Sequence, residues 1–265
     1  MTIGRAAHAA LLGLALLAAP ASADDLDPAA DPLLGDDFAE EYRAELGASV
    51  PDPIEPLNRK FFVFNDQLDQ HILLPVTKAY QFVVPSPVRA SIRRAFRNLQ
   101  APVYFVNNLL QLRFLDAAQT AGAFALNTTA GFGGFFNAGI EAGLEMHPAD
   151  FGQTLGMFGV QSGPYLVIPV LGPSTLRDGF GDLVDRAFDP LTYLLGMGDL
   201  IFLGGSSGFV TREANAKAIE ALRGSSVDYY AAMRSAFTQN RESRIAELRA
   251  QLCWNQKPEE PAAAE

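Results

Sequence analysis

The chain has 265 residues, is 49% apolar and carries a formal charge of −10, which gives enough length for one sizeable core. Its acidic balance argues against a nucleic-acid partner, and three histidines with a single cysteine leave no metal-ligand cluster and no disulfide framework. The acid is unevenly spread, because residues 24–55 hold eleven acids against one base, Arg43, whereas residues 56–258 are close to neutral.

In chain order, residues 1–23 read as a secretory signal. Arg5 lies in a short n-region, residues 9–19 are apolar but too short to stay as an anchor, and Ala21-Ser22-Ala23 is an A-x-A site that sets cleavage between Ala23 and Asp24. Residues 24–50 read as an acidic, Pro/Asp-rich disordered leader, residues 51–252 as one helical domain, and residues 253–265 as a flexible tail. Cys253 is expected to be an incidental thiol near the end of the last helix.

Helical signals dominate the body. Phe61, Phe64, Leu68 and Ile72 recur at helical spacing, and Pro75 is expected to end that segment. Ser86 reads as an N-cap with Pro87 at N1, opening a helix to about Leu99, and Pro102 opens the next. A further helix is expected from Asp116 to Asn127. Thr175 with Asp178 resembles a capping box, Asp189-Pro190 starts another helix, Thr211 is read as the cap of a helix to Leu222, and Ser225 with Asp228 as the opening of the last helix. No repeat and no strong hairpin signal is found. The fold class is mostly α: a single domain of amphipathic helices with irregular Gly/Pro-rich segments.

Three patches carry candidate function. On the helix after Pro102, Tyr104, Asn107, Asn108 and Gln111 form one polar stripe while apolar residues cover most of the rest. Such a stripe suits the wall of a wet passage for a lipid headgroup; the alternative is buried amides satisfied by neighbouring backbone. Arg89, Arg93 and Arg97 repeat at i, i+4 and i+8, which suits phosphate headgroups, an acidic partner or a solvated face. Gly131, Gly133 and Gly134 among phenylalanines read either as a flexible turn or as a hinged apolar rim. Asp178, Asp182 and Asp185, with Arg177 and Arg186 nearby, read as a salt-bridged helix surface.

The stretch from Phe151 to Leu176 holds no charged residue, yet Gly163, Pro164, Pro169, Gly172 and Pro173 interrupt it. A spanning helix needs about 20 unbroken apolar residues, so this block meets lipid, if at all, in another way. Together with Asp52-Pro53-Ile54-Glu55-Pro56-Leu57-Asn58-Arg59, Phe64-Asn65, Asp69, Pro75-Val76, Tyr80, Asn98-Leu99, Asn107, Gln111, Leu126-Asn127-Thr128 and Gly133-Gly134-Phe135, it resembles the MlaA (VacJ) family over about residues 50–245. The resemblance implies a ring-like, membrane-embedded body on the periplasmic face of the outer membrane of a Gram-negative bacterium. It also implies intermembrane phospholipid transport, with glycerophospholipids, the inner leaflet of that membrane, a trimeric porin and a soluble periplasmic lipid carrier as partners, no cofactor and no enzymatic step. Family members resemble lipoproteins acylated on a cysteine after the cleavage site. Here that position is Asp24, so attachment is expected through the folded body or a partner.

Two rival readings are a porin-docking structural protein without lipid transport and an acyl hydrolase. The second rests on Gly204-Gly205-Ser206-Ser207-Gly208, which matches the G-x-S-x-G nucleophile elbow with Ser206 as nucleophile. Against it, His71 and His147 both precede Ser206, whereas such enzymes place the histidine after the nucleophile. No catalytic residue is therefore assigned.

Overall fold

The structure is a computed structural model that describes residues 50–255, with side chains to residue 251. The expected signal and its Ala23–Asp24 cleavage site, the acidic leader up to residue 49, the side chain of Cys253 and the tail beyond residue 255 lie outside the described residues.

The described body is mostly helical. Helix α1 (Glu55–Leu68) does not stop at Pro75, as its sequence predicts. It runs through a π-helical turn, Asp69–Leu73, into α2 (Leu74–Val83). The Leu74 N–H donates to the Asp69 carbonyl, a wide i→i−5 bond, and Pro75 then falls in the first turn of α2, where its missing N–H costs little. Next come α3 (Ser86–Leu99), α4 (Ala101–Leu110) and α5 (Phe114–Thr129). Ser86 opens α3 without accepting a capping bond. The α4–α5 break turns on Leu112, which takes a φ of +59°. Two short helices, α6 (Ala138–Glu141) and α7 (Phe151–Met157), follow.

A hairpin that the sequence reading missed comes next. Strand β1 (Tyr165–Ile168) pairs antiparallel with β2 (Gly172–Thr175), with Tyr165 opposite Thr175 and Ile168 opposite Gly172. The three-residue loop needs left-handed backbone at Val170 (φ +70°) and Gly172 (φ +95°), and it carries Val170 and Leu171 out of the protein at the tip. Its signal was only a short apolar run among glycines and prolines. That run cannot show pairing, because its partner strand is Gly-Pro-Ser-Thr.

Thr175 caps α8 (Leu176–Phe188) as expected, its hydroxyl accepting from the Asp178 N–H. Gly181 of α8 lies against Gly152 of α7 so closely that a Cβ would come within 2.4 Å of the Gly152 nitrogen. After α9 (Leu191–Leu194) comes α10 (Met197–Ala214), a continuous helix through residues 204–208. This corrects two expectations. Thr211 is inside the helix, its hydroxyl donating back to the Ser207 carbonyl rather than capping. Ser206 also sits mid-helix, with no strand before it and no sharp turn, so the nucleophile-elbow geometry is not present. Helices α11 (Ala216–Ser225) and α12 (Tyr229–Asn255) complete the body. Asp228, not Ser225, accepts the first-turn bond of α12, from Ala231.

The hairpin is fastened to α1 by two amides: Asn65 donates to the Ile168 carbonyl (3.0 Å) and accepts from the Val170 N–H (2.7 Å), and Asn58 holds the inner end. Asn58, fully buried, donates to Asp52 (2.7 Å) and to the Tyr165 carbonyl (2.9 Å), and accepts from the Val167 N–H (2.9 Å). Around it Val50, Tyr165, Val167 and Tyr230 form the one cluster of buried apolar side chains described, backed by Phe61, Phe62 and Phe237. Asn58→Ala strands the Val167 N–H and the Tyr165 carbonyl in this core. It is expected to lower unfolding stability by about 2 kcal/mol, read as a shifted denaturant midpoint for the detergent-solubilised protein.

Candidate functional site

Burial is inverted. Polar side chains occupy the interior: Asn58, Thr77, Asn107, Asn108, Gln111, Thr120 and Thr175 are among the largest fully buried residues. Large apolar side chains crowd the outside, including Phe82 (92% exposed), Phe132, Leu115, Leu194, Met197, Ile201 and Phe202. Scattered exposed leucines are ordinary, but an apolar exterior around an amide-rich interior calls for a non-aqueous surround.

The polar stripe of α4 lies in this interior. Asn107, Asn108 and Gln111 are fully buried, and Tyr104 is half-buried. Gln111 donates to the Thr154 hydroxyl (3.0 Å), which donates on to the Asn107 side-chain oxygen (3.0 Å). Asn107 donates to Asp185 (2.7 Å) and Asn108 to the His147 carbonyl (2.9 Å). These bonds reach α7, α8 and the segment before α7, so the stripe forms a hydrogen-bonded seam between elements. Tyr104 bonds to Gln100 of its own helix turn, and burial pushes its phenol up to about 12.

Asp185 is the titratable member of the seam. Burial pushes its carboxyl up to about 6, although bonds from the Phe151 N–H (3.0 Å) and Asn107 act in the opposite direction. Beside it, Asp150 caps α7 through the Gln153 N–H (2.8 Å) and receives Arg241 of α12, which also bonds Asp178 (3.0 Å). Asp178 is buried against Arg177. The expected salt-bridged surface on α8 is thus corrected in part: Asp178 is an interior ion pair, and Asp185 pairs with an amide and a backbone N–H. Spacing along α8 could not show this, because the partners come from α4, α7 and α12.

Of the three expected arginines on α3, Arg89 and Arg93 converge on one carboxylate. Buried Glu213 of α10 receives Arg93 at 2.9 Å and lies 3.3 Å from Arg89. Arg97 is exposed on the next turn. Neither Glu213 nor Arg241 was singled out from the sequence as part of a site, since each lies more than 60 residues from its partners.

The glycine segment is a tight turn packed on α3. Gly131 accepts from the Phe136 N–H, and a Cβ on Gly131 would stand 2.4 Å from the Phe136 carbonyl oxygen. Gly134 (φ +97°) approaches Asn98, while Gly133 (φ +74°) needs only its backbone freedom. The turn presents Phe132, Phe135 and Phe136 outward.

A helical body with polar residues inside and apolar residues outside defines the class, a lipid-facing protein; among the described residues no helix is long and apolar enough to cross a membrane. The chain belongs to the MlaA lipoprotein family, whose model matches residues 50–244. It is 37% identical over 147 residues to the intermembrane phospholipid transport system lipoprotein MlaA of Escherichia coli, covering 54% of this chain and 59% of that protein. The corresponding lipoprotein of Haemophilus influenzae is 31% identical over 199 residues, 73% of this chain and 79% of that protein. A solved chain, described as the structural basis for maintenance of bacterial outer membrane lipid asymmetry, superposes with a TM-score of 0.66 at 34% identity, covering 73% of this chain and 98% of that one.

Two outcomes follow from the site. Asp185 holds its proton more tightly folded than unfolded, so its contribution favours the fold most below the unfolded value near 4 and is lost as pH rises to about 6. The melting temperature of Asp185→Asn relative to wild type should therefore rise between pH 4 and pH 7; a constant difference would contradict it. Gly131→Ala should destabilise by roughly 1–3 kcal/mol through backbone overlap, whereas Gly204→Ala, with open space around it, should be neutral or stabilising.

Proposed function

We propose that this chain removes mislocalised glycerophospholipids from the outer leaflet of the outer membrane and passes them to a soluble periplasmic carrier. The observation that carries the proposal is the inverted burial: amides and ion pairs inside, phenylalanines and leucines outside. An apolar exterior lets the helices rest among acyl chains on the periplasmic face of the membrane. A polar interior gives a charged headgroup something other than hydrocarbon to meet, and burying a headgroup in hydrocarbon alone is prohibitively costly. The names of the Escherichia coli and Haemophilus influenzae relatives support the same assignment.

In this reading the body forms a ring held in place by a trimeric porin; Asn107, Asn108 and Gln111, which have no exposed surface, tie its wall together from within, and Tyr104 is the member of that stripe left partly open. The outward phenylalanines beside Gly131, Gly133 and Gly134 form a rim against the lipid. Transport is passive guidance, with no covalent step and no cofactor.

The test is made in a strain deleted for this gene. Surface-exposed phospholipid should rise above wild type, with both acyl chains intact, and return to normal on complementation. No rise would overturn transport and leave the apolar exterior as a porin-docking surface. Lysophospholipid formed in a Ser206-dependent manner would overturn the non-enzymatic reading.

A further inference from the structure

An open apolar groove of about 500 Å³ lies between α3 and α10, closed on one side by α2. Its walls include Tyr80, Ile92, Phe96, Ile201, Phe202 and Phe209, with Tyr80 and Phe209 edge to face at 5.4 Å between ring centroids. The volume falls in the range of about 300–1,000 Å³ that holds small organic ligands. Gly205 and Ser206 line the α10 side, and a Cβ added at Gly205 meets nothing within 4 Å. The small residues therefore open the groove without being needed for contact between helices.

One end of the groove is charged. Glu213 follows Phe209 by four residues, and Arg89 and Arg93 each precede a groove residue, Ile92 or Phe96, by three, so the ion pairs continue the same helix faces. Two guanidinium groups meet one carboxylate there. The neighbouring arginines Arg212 and Arg223 are matched by Asp69 and Asp66, so the excess positive charge stays with Arg89 and Arg93. Tyr80, on the groove wall, is close enough to feel Glu213 and both arginines.

We infer that this groove seats one acyl chain of a glycerophospholipid whose phosphate rests at the Arg89–Arg93 end. An apolar trough ending in one surplus positive charge matches a molecule with a long hydrocarbon chain and one phosphate. The inference rests on the proposed lipid-transport reading and names a holding site for its cargo on the α3–α10 face. The sequence showed the arginine series and the glycine-serine run separately; only the packing of α3 on α10 joins them.

The test uses the full chain in vesicles of phosphatidylethanolamine and phosphatidylglycerol, with a benzophenone side chain placed at Ser206 in the groove or at exposed Phe82 outside it. Cross-linked phospholipid at position 206 should fall roughly tenfold, the factor for about 1.4 kcal/mol, in a background of Arg89→Gln with Arg93→Gln. Gly205→Trp, which fills the groove and leaves the ion pairs intact, should give the same fall, and the yield at position 82 should not change in either background. Equal yields at 206 with and without Gly205→Trp would overturn the site, because the groove would then be ordinary lipid-facing surface. That result together with normal transport overturns the site alone. Selective cross-linking with no rise of surface phospholipid in the deletion strain overturns transport and leaves the site standing.

Discussion

The fold depends on buried amides and ion pairs finding partners across elements. In hydrocarbon surroundings apolar side chains gain nothing by leaving lipid for each other, so helices are held by hydrogen bonds and close packing. Asn58 joins α1 to the hairpin, the Asn107–Thr154–Gln111 chain joins α4 to α7, and Arg241 ties α12 to both Asp150 and Asp178. Each of these groups would cost free energy if left bare in a low-dielectric interior. The glycine contact between α7 and α8 acts in the same direction, bringing backbones close where bulky residues would hold them apart.

The same constraint shapes the outside. With the interior given to polar bonding, the large apolar side chains of α2, α5, α10 and the hairpin tip point outward. In water this arrangement would be an aggregation hazard; against acyl chains it is the favourable one. The most buried charged pairs fall on interior seams, as with Arg177 and Asp178, while Glu213 sits between Arg89 and Arg93 where α10 meets α3.

Much of the local structure was legible. Helix placement followed periodicity, and among the expected caps Thr175 with Asp178 behaved as its spacing indicates, whereas Ser86, Thr211 and Ser225 do not cap. Pro75 misled because a local rule for helix ends does not foresee a π turn that accommodates it. Residues 204–208 misled because a Gly/Ser run satisfies a motif written for loops, while the exposed face of α10 tolerates small residues in a continuous helix. The hairpin was missed because its second strand carries no β signal and is held by pairing with the first, which Asn58 bonds to α1.

The sequence by itself determined that the chain is mostly helical, that its body is apolar without an unbroken span, and, through the order of its motifs, which family it belongs to. The tertiary structure decided which way each face points. It put Asn107, Asn108 and Gln111 inside, drew Asp185 and Asp178 off a supposed surface, and matched Arg89 and Arg93 with a carboxylate more than a hundred residues away. The physical reason is that amphipathicity records only that a helix has two faces. Whether the polar face meets water or the interior depends on what surrounds the protein, and that is expressed only once the helices have packed.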